Sequence, residues 1–143
     1  VIAISKALEH PANVEFLANR KADLSIIESE SLDLVFSFVV LQHLTIDQLK
    51  KFLREFHRVL KTGGKLVFQI KLREAGQPRH NPGVGGWLHQ RTMLRMVFYT
   101  RADLQQLMKE SGFGDYTITN LRDYEGFAKE HDNGQIVIAN KMT

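Results

Sequence analysis

The sequence predicts an α/β protein, a doubly wound and mostly parallel sheet that finishes in an antiparallel strand pair. Three stretches carry this reading. Leu34 to Leu41, LVFSFVVL, has a single polar member and reads as a central strand buried on both faces. Residues 45–64, TIDQLKKFLREFHRVLKTGG, place Ile46, Leu49, Phe52, Leu53, Phe56, Val59 and Leu60 at three- and four-residue steps, one stripe of an amphipathic helix. Lys65 to Lys71, KLVFQIK, returns to strand composition, so the helix becomes a right-handed crossover between parallel strands.

The remaining elements follow in order. Val1 to His10 has a short helical pattern ended near Pro11, and Asn13 to Ala18, NVEFLA, alternates as a strand. NRKADLSIIESES is polar and irregular, a loop leading into the central strand. Thr45 with Gln48 forms a capping box, and Gly63 is placed to end the helix in the left-handed conformation. Lys71 to Tyr99 mixes Gly, Pro and Arg and reads as an insertion or lid. Thr100 and Asp103 then open a second helix with Leu104, Leu107 and Met108 on its apolar side, closed by Gly112. DYTITNLR alternates as a strand, and the Asn133–Gly134 turn signal introduces a last one, QIVIAN. With no helix between them, these two form the antiparallel pair.

Composition narrows the function classes. At 143 residues and 43% apolar, the chain suits one domain with a substantial core. A formal net charge of +3 permits nucleic acid as a partner without implying it. Cysteine is absent, which excludes disulfides, thiolate chemistry and Cys-ligated zinc. No apolar run approaches a membrane span, so no membrane association is expected and the cytoplasm is the expected location. The chain opens at Val1, without Met, inside an apolar stretch, and reads as the continuation of something longer.

LDLVFSFVVLQHL (32–44), FHRVLKTGGKLVFQI (56–70) and YTRADLQQLMKESGF (99–113), followed by two closing strands, resemble the class I S-adenosylmethionine-dependent methyltransferases. The resemblance runs from Asn13 onward. It implies a Rossmann-like sheet in the order 3-2-1-4-5-7-6, with Val14 to Leu17 as strand 3, the opening run as strand 4 and Lys65 to Ile70 as strand 5. The last two strands become 6 and 7. It also implies S-adenosylmethionine as cofactor and a methyl acceptor, a small molecule or otherwise unidentified. The family's Gly-rich loop after strand 1 and the acidic residue ending strand 2 have no counterpart in this sequence. NPGVGGWL is no substitute, because Leu88 stands where a GxGxxG pattern needs its last glycine. The expectation is therefore a methyltransferase domain truncated at its amino terminus, inactive alone. Competing readings are a nicotinamide-dependent Rossmann oxidoreductase and a non-catalytic interaction module.

On this template Ser37, Phe38 and Val39, at the end of strand 4, are candidate cofactor contacts; simple core packing is the alternative. Arg20 occupies the place of the family's adenine-binding acid, which leaves Asp23, with Leu24, as the nearest candidate or as a turn cap. His43 is the candidate base on the acceptor, or a packing residue at the helix start. His57 reads as structural, and His80 and His89 lack ligand spacing, so no metal is expected. Lys71, Arg73, Arg79, Arg91, Arg95 and Arg101 stand against one acid, Glu74, as a solvated cationic face or an anionic acceptor site. Without strands 1 and 2, strand 4 is left with an open edge. Either Asn13 to Ala18 covers it, or two chains meet there as a homodimer.

Overall fold

The computed structural model describes residues 11–19, 21, 23–74, 76–77, 96–124 and 134–142. Outside them lie the expected helix of Val1 to His10, Arg20, most of the insertion with NPGVGGWL, His80, His89, Arg79, Arg91 and Arg95, and Asn133.

The described residues form one sheet from β1 (Leu32–Ser37), β2 (Leu60–Ile70), β3 (Tyr116–Asn120) and β4 (Gln135–Asn140), in spatial order β1-β2-β4-β3. β1 and β2 are parallel, and β4 is antiparallel to both of its neighbours. This is the 4-5-7-6 part of the expected order, antiparallel closure included. Helix α1 (Ile46–Val59) connects β1 to β2, and α2 (Arg101–Glu110) precedes β3. Both helices start in reciprocal capping boxes. Gln48 N–H donates to Thr45 Oγ1 at 3.3 Å and Thr45 N–H to Gln48 Oε1 at 2.9 Å. Asp103 N–H reaches Thr100 Oγ1 at 3.0 Å and Thr100 N–H reaches Asp103 Oδ2 at 2.9 Å. Each box satisfies donors that a helix start leaves without intrahelical partners.

Leu49, Leu53, Phe56 and Val59 of α1 and Leu104, Leu107 and Met108 of α2 share one core with Val35, Leu66, Phe68, Ile70, Val137 and Ala139. The register pairs Val35 with Leu66 and Leu66 with Ala139, so these sheet residues occupy one face. Burying each such aliphatic side chain contributes about 1.5–3 kcal/mol relative to leaving it exposed.

The opposite face corrects the first expectation. Leu34 and Phe36 are 54% and 63% exposed, although the run that contains them reads as buried on both sides. Both described helices stand on the Val35 side, and neither covers Leu34 or Phe36 on the other. The strand also stops at Ser37 rather than Leu41.

Asn13 to Ala18 is not a strand. Val14 N–H closes a turn onto Pro11 O at 3.0 Å, Val14 and Leu17 are exposed, and the segment joins no ladder. Alternation alone cannot make a strand without a partner edge, and the outer edge of β1 is unpaired among the described residues. Gly63 does not end α1 either. The helix stops at Val59, and Gly63, with φ +80°, lies inside β2 at an irregularity between the Leu32–Leu60 and Leu34–Lys65 pairs. Beside it the chain approaches itself so closely that a Cβ on Gly64 would stand 2.8 Å from Lys61 O. Gly112, with φ +90°, does follow α2 as expected. Among the described residues no helix is long and apolar enough to cross a membrane.

Candidate functional site

At the carboxyl end of β1 the backbone leaves the sheet through a strained residue. Val39 has φ +59°, a left-handed conformation that a β-branched side chain adopts at a cost of about 1–3 kcal/mol. Its N–H donates to Gln69 Oε1 at 2.9 Å, and Gln69 is buried on the neighbouring β2. A buried glutamine between the apolar Phe68 and Ile70 thus fixes the sharp exit. Phe38, just before it, stacks with Phe36 at 6.2 Å between centroids and 3° between planes. Val39 and Val40 are about half exposed, which leaves the turned backbone open to a ligand.

A 3-10 turn, Leu41–His43, follows. Leu41 is buried and anchors it, and Gln42 is buried with its Nε2 3.5 Å from His43 Nε2. His43 is half-buried, between this turn and the Thr45 cap of α1. A strap from the far side of the insertion braces the turn. Val97 N–H donates to Gln42 O at 2.7 Å, and the hydroxyl of Tyr99, 1% exposed, donates to Leu44 O at 2.6 Å. The same strap pairs with the chain leaving β2, since Tyr99 N–H reaches Lys71 O at 3.0 Å and Arg73 N–H reaches Tyr99 O at 2.8 Å. The carboxyl ends of β1 and β2 are therefore tied to one another, and in open α/β sheets ligands bind at that end.

Ser37, Phe38, Val39 and His43 are brought together there. Asp23 and Leu24 are not. Leu24 N–H donates to Glu55 Oε2 at 2.9 Å, and Arg58 Nη2 donates to Leu24 O at 2.9 Å. Glu55 lies ten residues along α1 from Thr45, about 15 Å from the carboxyl end at the helical rise. Asp23 caps its own turn, with Oδ1 accepting from Ser25 Oγ at 2.8 Å and Ser25 N–H at 3.1 Å. Those bonds hold its carboxyl below the ordinary carboxylate range. Arg58 grips both carboxylate oxygens of Glu55, at 3.0 and 2.9 Å, and pulls that pKa down as well. This assembly ties the 23–29 loop to α1. Among the described residues no group of three or more His, Asp or Glu could hold a metal ion.

Gln69, Gln42 and Tyr99 were not singled out from sequence. The one available signal was Gln69 itself, a glutamine at a position where its strand neighbours are apolar.

The profile of a family described as methyltransferase domain matches residues 1–68. Among curated proteins none matches this sequence. Solved structures do. A SAM-dependent methyltransferase from Methanosarcina mazei is 16% identical with a TM-score of 0.68, over 96% of this chain and 75% of that one. The Burkholderia thailandensis 1,6-didemethyltoxoflavin-N1-methyltransferase, solved with S-adenosylhomocysteine, is 13% identical with a TM-score of 0.60, over 83% of this chain. The Haemonchus contortus phosphoethanolamine N-methyltransferase 2, also solved with S-adenosylhomocysteine, is 18% identical with a TM-score of 0.56, over 82% of this chain. The chain spans 48% and 35% of the last two, and 43% of a similar chain from Bordetella parapertussis. Residues 1–68 thus carry the methyltransferase-domain pattern, and the chain has the fold of these solved structures.

Proposed function

We propose that this chain supplies the strand 4 to strand 7 side of an S-adenosylmethionine-dependent methyl transfer site, with Ser37, Phe38 and Val39 facing the cofactor and His43 facing the acceptor. The observation that supports this most is the Val39 turn. A β-branched residue held at φ +59° by a buried glutamine is a costly feature, and such strain concentrates where backbone must meet a ligand. Bound S-adenosylmethionine brings an activated methyl group on a sulfonium, which leaves the protein to position, desolvate and, where needed, accept a proton. The turned backbone after Phe38 would orient the cofactor. The imidazole of His43 would take the acceptor's proton. Asp23 and Leu24, standing by Glu55 and Arg58, serve the loop in this reading. The chain alone is expected to hold the cofactor weakly, because a Gly-rich loop following a strand is not among its motifs. For the isolated chain, edge-to-edge pairing of two β1 strands is the companion proposal.

Ultraviolet crosslinking of methyl-labelled S-adenosylmethionine at millimolar concentration tests the site despite weak binding. Label is expected in the peptide spanning residues 32–44, and label confined to other peptides would count against it. In a catalytically competent form, His43→Ala is expected to lower kcat about 10²- to 10⁴-fold with cofactor affinity nearly unchanged. A change under about threefold would make His43 a packing residue.

A further inference from the structure

At the same end of the sheet as the β1 turn, a cleft of about 320 Å³ opens where three arginines from separate parts of the sequence meet. Arg73 follows the carboxyl end of β2, Arg101 is the first residue of α2, and Arg122 sits in a 3-10 turn after β3. The walls are built by amides. Leu72 N–H donates to Gln135 Oε1 at 2.8 Å, and Gln135 Nε2 donates to Asn120 Oδ1 at 3.2 Å. Arg73 is held from its backbone by the Tyr99 strap, and its Nη1 donates to the carbonyls of Glu74 and Gln77. Its Nε is buried without a hydrogen-bond partner among the described residues. A buried donor left unmatched is unfavourable until something supplies an acceptor.

The charge balance runs the same way. Among the described residues Glu74 is the one carboxylate lining the cleft, and it forms no ion pair there with Arg73 or Arg101. Among the described residues Arg122 has only Asp123, at 4.0 Å. A single carboxylate needs one guanidinium fork, whereas three guanidinium groups around one small polar cleft match the oxygens and charge of a phosphate.

We propose that this cleft binds a phosphate group carried by the methyl acceptor. The cleft spans the ends of β2, β4 and β3, while the Val39 turn ends β1. At about 4.8 Å per strand, the phosphate and the methyl-accepting atom lie on the order of 10 Å apart, the length of a small phosphorylated metabolite. Assigning the phosphate to the acceptor rests on the methyl-transfer reading; the anion site itself does not.

The test is a titration of the 143-residue chain with inorganic phosphate at constant ionic strength, without cofactor, following the arginine Nε–H signals by NMR. A saturable shift of the Arg73 signal is expected, with the Glu55-paired Arg58 signal unmoved. Arg101→Gln and Arg122→Gln, both exposed, should each weaken binding about tenfold, and Glu74→Gln should tighten it. Shifts that fail to saturate, that sodium chloride reproduces, or that survive both arginine substitutions would overturn the site. Saturable phosphate binding together with failed crosslinking at residues 32–44 would leave the phosphate site standing and remove its assignment to a methyl acceptor.

Discussion

The imidazole of His57 stands edge-on to the ring of Phe113, with centroids 5.1 Å apart and planes at 80°. Burial in this contact, with the nearby Lys141 ammonium adding to it, lowers the His57 pKa below its ordinary value; Glu30 and the Gly112 backbone act the other way. The unfolded chain thus binds a proton near pH 6.5 that the folded chain takes up only at lower pH. Stability from this group is full above about pH 6.5 and falls as the pH drops through the folded value. Urea midpoints at pH 7.5, 6.5 and 5.5 should decline, and His57→Gln should flatten the decline. An identical slope in the variant would assign it to other groups.

Gly112 faces the same ring. A Cβ there would lie 2.7 Å from His57 Nε2, on a residue whose φ is +90°. Gly112→Ala combines an unfavourable backbone with overpacking and should cost about 2–4 kcal/mol. Adding His57→Ala should recover part of that loss. Strict additivity in thermal or urea unfolding would show that the ring is not the obstacle.

The Val39–Gln69 bond gives a third expectation. Gln69→Leu leaves the Val39 N–H unmatched in the turn and should lower stability by about 1–3 kcal/mol. Val39→Gly deletes a side chain but relieves the left-handed strain, so its effect should stay within about 1 kcal/mol. A large loss for Val39→Gly with no effect of Gln69→Leu would invert this account.

Two lysine ion pairs should differ in weight. Lys141, 8% exposed, donates to Glu30 at 3.1 Å and to Leu60 O at 2.8 Å, whereas Lys61 meets Asp33 at 2.8 Å in the open. Lys141→Ala should cost about 1–3 kcal/mol, because a backbone carbonyl loses its charged donor. Lys61→Ala should cost about 0–1 kcal/mol. Equal losses in urea would contradict the difference.

The edge of β1, unpaired among the described residues, predicts self-association of the isolated chain. Antiparallel pairing about Val35 would set Leu34 of one chain opposite Phe36 of the other, adding apolar contact to a new ladder. Sedimentation at micromolar concentration should show a dimer, and Leu34→Lys should return it to monomer. A strictly monomeric parent chain would exclude the pairing.

What the sequence disclosed was local. The Thr45–Gln48 capping box, the helix start at Thr100 and Asp103, the apolar stripe of α1 and the strand QIVIAN depend on residues within a turn or two of each other, and each formed as read. What stayed hidden depends on distant partners. Val39 is one more apolar residue in its run until Gln69 takes its N–H. Leu24 belongs to Glu55 only after α1 has folded back across β1. Arg122 carries no signal of its own, since it joins Arg73 and Arg101 only through the order in which β2, β4 and β3 lie side by side.

The irregularity at Gly63 has a bearing on which insertions and deletions this chain could tolerate. Two steps along β1, from Leu32 to Leu34, answer five along β2, from Leu60 to Lys65, and only after that offset do Leu66, Phe68 and Ile70 turn toward the helices. The sidedness of a strand alternates with every residue, so losing a single residue here would present Val67 and Gln69 to the helices and send Phe68 outward. Gln69 would then face away from Val39. The loop of surplus residues therefore works as a ratchet tooth for the whole sheet, and a length change of one residue at Gly63 or Gly64 should be far more damaging than a substitution at either neighbour.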